Sequence, residues 1–188
     1  IEFIDKVLET GVDSLKIEGR MKSIYYNSTV VKQYRQALDS YYSGNYKYDP
    51  KWLEELQTIS HRLYSKGFYL GVTTEEDQNY HTGSSYSQTY QLVAKVAEKL
   101  DNNKYVWEIR NRVYASSELE LVRPYQDPVK FKIKNFLNTK NNEIIEIAHP
   151  NTVAIIETDV EMEPMDLIRV RLPEGQSDTD METGENTL

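Results

Sequence analysis

The chain has 188 residues, 30 Asp and Glu against 22 Lys and Arg, a formal net charge of −8, and no cysteine. That length supports one sizeable domain or two small ones whose core needs no covalent staples. Without cysteine, residues 1–188 offer no disulfide framework, thiolate zinc site, Cys nucleophile or Cys-held iron–sulfur cluster.

No run of about 18 apolar residues offers a membrane span, so no membrane partner is expected. The first ten residues mix Glu2, Asp5 and Glu9 into an amphipathic pattern, which is not that of a signal peptide. The chain opens on Ile1 and is expected to be part of a longer protein. Its charge is uneven: residues 1–91 carry a net of −2, residues 92–173 a net of −1, and residues 174–188 a net of −5. The last stretch is therefore expected to be a disordered, solvated acidic tail. The near-neutral remainder leaves room for a local basic stripe.

In chain order, apolar residues at 1, 3, 4, 7 and 8 predict a short helix closed by Gly11. Val12 to Glu18 alternates and predicts a strand ending at Gly19-Arg20. A second helix is predicted over 23–43, with Tyr26, Val30, Val31, Tyr34, Leu38, Tyr41 and Tyr42 along one stripe and Gly44 past its end. Asp49-Pro50 is an N-cap followed by proline at the first helical position. Trp52, Leu56, Ile59 and Leu63 then give a helical seam, and the two helices are predicted to pack as an antiparallel hairpin.

From Thr73 to Gln88 the composition turns to Thr, Glu, Asp, Asn, Gly and Ser, which predicts a linker and a domain boundary. Beyond it the period becomes 2. Strands are predicted at 91–98, 104–114, 117–123, 128–136, 143–148, 152–158 and 167–172, with a hairpin turn at Asn138–Asn142. Short strands with no helix between them argue for a small antiparallel β-barrel, so the fold class is α+β.

The three histidines, His61, His81 and His149, have no metal-ligand spacing, and no Gly-rich phosphate loop or nucleophile elbow occurs. No catalytic residue, metal site or cofactor is therefore assigned. Glu75-Glu76-Asp77 reads as a solvated charge run. Twelve of the fifteen tyrosines precede residue 91 and fall mostly on the helical stripes, which favours core packing over a base-stacking platform.

Two patches remain. Lys16 and Glu18 share one face of the first predicted strand, with Arg20 just beyond; spacing alone reads this as a salt-bridged strand end. Lys130, Lys132 and Lys134 alternate with apolar residues and join Arg110 and Arg112 as a candidate polyanion surface. Alternating lysines also guard an edge strand against pairing with another chain.

The run Gly11-Val12-Asp13-Ser14-Leu15-Lys16-Ile17-Glu18-Gly19-Arg20-Met21-Lys22-Ser23, followed by Tyr26 and Tyr34-Arg35-Gln36-Ala37-Leu38, resembles peptidase family U32, the collagenase-like proteases of bacterial type. Ser60-His61-Arg62-Leu63-Tyr64-Ser65-Lys66-Gly67-Phe68-Tyr69-Leu70-Gly71 resembles a second motif of that family. Glu108 to Arg112, His149-Pro150-Asn151 and Pro164 to Arg169 resemble its C-terminal β domain, with Ser65 and Met165 as minor departures.

The resemblance implies a split architecture. Residues 1–22 would be the last strand region of a (β/α)8-type barrel, 23–72 a helical hairpin, 73–90 a linker, 91–173 the β-barrel domain and 174–188 the tail. Lys16, Glu18 and Arg20, with His61 and Arg62, would then bind substrate at the barrel mouth. The upstream (β/α)8-type catalytic domain of the same protein would be the main partner, and residues 1–188 would be inactive alone. Val12, Leu15 and Ile17 would expose apolar sides that invite homodimer formation.

Some relatives in the family are linked to oxygen-independent hydroxylation, including that of a uridine in transfer RNA. Three readings follow, all cytoplasmic: a substrate-positioning domain of a U32 peptidase acting on peptide, an RNA-positioning domain of a tRNA hydroxylation protein, and a structural or dimerisation module without a ligand.

Overall fold

The computed structural model describes residues 1–62, 64–72 and 86–173. The expected seam position Leu63, His81, most of the expected linker and the acidic tail at 174–188 lie outside the described residues. The chain divides into two compact units, Ile1–Thr89 and Tyr90–Leu172, each described by itself.

The first unit is helical: α1 (Ile4–Glu9), α2 (Ile24–Tyr42) and α3 (Pro50–Leu56). Local chemistry sets their starts. The Ser23 hydroxyl oxygen accepts the Tyr26 N–H at 3.1 Å, and the Asp49 carboxylate accepts the Lys51 N–H at 3.0 Å with Pro50 opening α3. After α1 the chain turns at Gly11, whose φ of +79° suits a residue without a Cβ. The helices α2 and α3 run antiparallel: Tyr25 at the start of α2 meets Thr58 just past the end of α3, hydroxyl to hydroxyl at 3.2 Å. At the other end Ala37 shares a buried cluster with Ile4 and with Trp52 of α3.

The structure corrects three expectations in this unit. Residues 12–18 form no strand, because no neighbouring strand among the described residues offers ladder partners, and an extended segment alone gains no hydrogen bonds. The helix α3 stops at Leu56: the Thr58 hydroxyl bonds back to the Glu55 carbonyl at 2.7 Å, and His61 is drawn instead into a bridge with Ser87. Ile59 is nevertheless buried. The buried face of α2 is Tyr25, Thr29, Val30, Gln33 and Ala37; of the expected apolar stripe Val30 is buried and Tyr34 packs against the buried cluster, whereas Val31 and Tyr42 face solvent.

The second unit is all β. Its strands are β1 (Tyr90–Lys99), β2 (Lys104–Ile109), β3 (Val113–Tyr114), β4 (Leu119–Val122), β5 (Val129–Phe131), β6 (Phe136–Asn138), β7 (Ile144–Ile145), β8 (Ile147–Ala148), β9 (Val153–Glu157) and β10 (Leu167–Arg171). Eight form one antiparallel sheet in the order β5-β4-β10-β1-β2-β9-β6-β7, and β3 pairs with β8. The edge strands β5 and β7 do not pair with each other, so the sheet is an open, curled half-barrel, not a closed barrel.

Turns follow side-chain chemistry. Asn102 and Asn103, both at φ near +60°, turn β1 into β2, and the Asn138–Asn142 turn joins β6 to β7 as expected. The predicted strand 104–114 breaks after Ile109, where the Arg110 N–H turns to the Val93 carbonyl at 2.8 Å and the Asn111 side-chain amide to that of Leu92 at 2.8 Å. Val93, Val96, Trp107, Ile109, Leu119, Leu121, Phe136, Ile156 and Ile168 fill the concave side. Among the described residues no helix is long and apolar enough to cross a membrane.

Candidate functional site

In the first unit, Lys16, Glu18 and Arg20 lie together on an exposed, irregular segment. One Glu18 oxygen accepts the Arg20 backbone N–H at 3.0 Å, and the other faces the Lys16 ammonium at 3.9 Å. An exposed pair of that length contributes at most about 1 kcal/mol. The Gly19 carbonyl accepts both the Lys22 N–H at 3.0 Å and the Asn27 side-chain amide at 3.2 Å, which ties this turn to the first turn of α2. Lys22 is thereby set beside Tyr26, its ammonium 5.2 Å from the ring centre.

His61 and Arg62 are placed by the bridge to Ser87. The His61 N–H bonds to the Ser87 carbonyl at 3.1 Å and the Ser87 N–H to the His61 carbonyl at 2.8 Å. In an antiparallel bridge the next residues outward face each other, so Arg62 stands opposite Tyr86. The Arg62 guanidinium lies 5.5 Å from the Tyr86 ring centre, and the Lys22 ammonium lies 4.8 Å from it. Each such contact is worth about 0.5–1 kcal/mol at an exposed site.

The His61 ring is buried and stacks on Tyr64 at 4.2 Å with the planes nearly parallel. Its Nδ1 lies 2.6 Å from the Arg62 carbonyl oxygen, so Nδ1 carries the hydrogen of that contact. Nε2 is buried with no partner among the described residues. Tyr64 donates to the Leu56 carbonyl at 2.6 Å, and burial, then Tyr26 and Tyr34, push its hydroxyl well above the usual tyrosine range.

The structure thus gathers His61 and Arg62 with Lys22, Tyr26, Tyr64 and Tyr86 into a cation–aromatic cluster. Sequence reasoning assigned no role to Lys22 or Tyr86. The four-residue spacing of Lys22 and Tyr26 was the available signal; Tyr86 had none, since its place depends on a long-range bridge.

In the second unit the candidate polyanion residues fall into two groups. Arg110 is paired: its guanidinium reaches Glu108 at 2.8 Å, and Lys95 reaches the same carboxylate oxygen at 3.1 Å. Arg112 is exposed just before β3. Lys130, Lys132 and Lys134 are exposed while Phe131 and Ile133 between them are buried. This run begins on edge strand β5, four strands from β2 in sheet order. Lys130 faces Glu118 at 3.7 Å, whereas Lys132 and Lys134 have no carboxylate partner among the described residues.

A third group was not anticipated. Arg169, 2% exposed, holds Glu120 through Nε at 2.9 Å and a terminal nitrogen at 2.8 Å. The Tyr90 hydroxyl donates to the other Glu120 oxygen at 3.1 Å, and the Arg169 guanidinium lies 4.2 Å from the Tyr90 ring centre. Both oxygens of the Glu120 carboxylate are thus engaged by these two neighbours. Among the described residues no cluster of His, Asp and Glu is arranged to hold a metal ion.

Comparison with known proteins fits this division. Residues 1–79 match the model of peptidase family U32 and residues 88–169 that of the family's C-terminal domain. The tRNA hydroxylation protein P of Haemophilus influenzae is 34% identical over 146 residues, covering 77% of this chain and 31% of that protein. The tRNA hydroxylation protein P1 of Bacillus subtilis is 32% identical over 172 residues, covering 90% and 40%. A collagenase of Porphyromonas gingivalis is 36% identical over 93 residues, covering 48% and 26%. The chain therefore spans between a quarter and two fifths of the length of these relatives. With both family models matched in order along it, this chain belongs to peptidase family U32 and carries the family's C-terminal domain.

Proposed function

We propose that this chain is the RNA-positioning portion of a tRNA hydroxylation protein, and that residues 1–188 do no chemistry alone. The observation that carries this reading is the extent of likeness: the tRNA hydroxylation proteins P of Haemophilus influenzae and P1 of Bacillus subtilis correspond across 146 and 172 residues and so through both units, against 93 residues for the collagenase, while two further tRNA hydroxylation proteins correspond across 78 and 90. The surface chemistry supports it. Lys132 and Lys134 stand clear of carboxylates on the edge of a small β unit, where they can neutralise phosphates without reading bases. Catalysis is assigned in this reading to a (β/α)8-type domain outside residues 1–188, and the present chain holds the substrate against it.

The test is fluorescence anisotropy of labelled bulk transfer RNA titrated with the chain at low and physiological salt. Micromolar binding that weakens as salt rises is expected, because each neutralised phosphate releases counterions. Absence of binding even at low salt would overturn the RNA reading and leave a peptide-positioning or purely structural role.

A further inference from the structure

We propose that Lys22 and Arg62, gathered on the ring of Tyr86, form a phosphate grip for an RNA backbone on the first unit. This rests on the tRNA reading above and adds a second contact to the lysines of the second unit.

Three observations carry it. Both cations lie within 5.5 Å of one ring centre, yet neither has a carboxylate partner among the described residues. Several other cations among the described residues are paired with carboxylates: Arg35 with Asp39, Lys99 with Glu161 and Glu163, Arg123 with Asp166. Their distances to the shared ring centre keep the two cations within about 10 Å of each other, near enough for their fields to add at an anion bound between them.

The grip is also built by the backbone. The bridge between His61 and Ser87 sets Arg62 opposite Tyr86, and the turn at Gly19 sets Lys22 over Tyr26. The backbone at both cations is therefore placed before binding, so less ordering is left to lose. Tyr86 is 39% exposed, so the site is open to a strand of nucleic acid. A guanidinium fork beside an ammonium suits a phosphodiester, the first by directed hydrogen bonds and the second as a point charge. His61 is a positioning residue of the grip: its Nδ1 contact holds the Arg62 backbone in place.

The experiment titrates labelled bulk transfer RNA with the full chain and its variants over a series of salt concentrations. Lys22→Ala with Arg62→Ala should lower the slope of log affinity against log salt by about two, one for each phosphate left without its cation. Tyr86→Phe, which keeps the ring, should bind as the unsubstituted chain does, and Tyr86→Leu should bind more weakly. Ultraviolet crosslinking of the unsubstituted complex should place an RNA adduct on the peptide that contains Tyr86, a readout independent of how any variant folds. An unchanged slope for the double variant, or crosslinks that avoid that peptide, overturns the grip while the RNA reading stands. Absence of tRNA binding by the unsubstituted chain overturns both.

Discussion

Phe131, on edge strand β5, packs edge-on against Trp107, in the interior strand β2, with ring centres 6.1 Å apart and planes at 87°. Four strand spacings separate those strands, about 19 Å in a flat sheet. Phe136 of β6 reaches the same indole from the other side of the sheet order, at 6.3 Å. The sheet therefore curls around Trp107, and much of its curvature is held by this one side chain. Trp107→Ala is expected to cost about 3–5 kcal/mol in urea unfolding. The indole N–H is buried without a partner among the described residues, so Trp107→Phe gives up no hydrogen bond there and should cost less than about 1.5 kcal/mol. Equal losses for the two variants would show that the packing does not hold the curl.

The buried pair of Arg169 and Glu120 calls for a different experiment. Removing one partner leaves a charge out of water and uncompensated, so Arg169→Met alone should destabilise by about 3–5 kcal/mol. Combining it with Glu120→Leu and Tyr90→Phe removes every charge and hydroxyl of the group, and most of that loss should be recovered. A triple variant as unstable as the single one would mean that the network contributes more than its charges cost to bury.

Alkaline pH should weaken the fold through its tyrosines. Burial is the largest cause raising the hydroxyls of Tyr34, Tyr46, Tyr48, Tyr64 and Tyr90 above their ordinary range. Above about pH 10 the unfolded chain loses phenolic protons that the folded chain keeps. Stability from these groups is therefore complete below that pH and falls as pH rises further. Four of the five lie in the first unit, so helical circular dichroism should fade as phenolate absorbance grows. Phenolate forming in full while the helical signal persists would contradict this.

Local chemistry made much of the fold legible. Asp49-Pro50 and the Asn138–Asn142 turn each act through neighbours two to five residues away, and each appears in the structure as read. The sequence misled where partners are distant. Val12 to Glu18 has the alternation of a strand but finds no neighbour to pair with among the described residues. The helix α2 buries Thr29, Gln33 and Ala37, a four-residue series of small and polar side chains that a search for large apolar residues passes over. The cation–aromatic cluster was half visible, in His61 and Arg62, while Tyr86 arrives through a bridge between residues 26 positions apart. The lysine alternation at 130–134 was legible because its period is local.

Met165 occupies the third position of the turn Glu163-Pro164-Met165-Asp166, closed by the Asp166 N–H on the Glu163 carbonyl at 3.0 Å. Its φ of +78° is the value that such a turn, with proline second, demands and that glycine meets without strain. Its side chain is exposed, so little packing is lost on removal. Met165→Gly should raise stability by about 0.5–1 kcal/mol in urea unfolding, strain relief exceeding the added freedom of the unfolded chain. A lower unfolding midpoint would mean that the Met165 side chain contributes packing that outweighs the backbone strain.

Lys132→Glu combined with Lys134→Glu tests the lysine edge without touching the core. Both side chains are exposed, and the buried Phe131 and Ile133 beside them are left intact, so the melting temperature should hardly move. Lys130 is kept because it faces Glu118, and reversing it would set two carboxylates against each other. The retained Lys130 also keeps charge on edge strand β5, so protection against edge-to-edge pairing is retained and aggregation should not obscure the result. If the lysines meet phosphates, reversal turns two attractions into repulsions, and tRNA affinity at physiological salt should fall below detection, with weak residual binding only at low salt. If their function is solely to guard the edge, affinity should be unchanged. A fall in melting temperature that matches the fall in affinity would instead make the lysines structural, since an RNA-binding role requires the two measurements to separate.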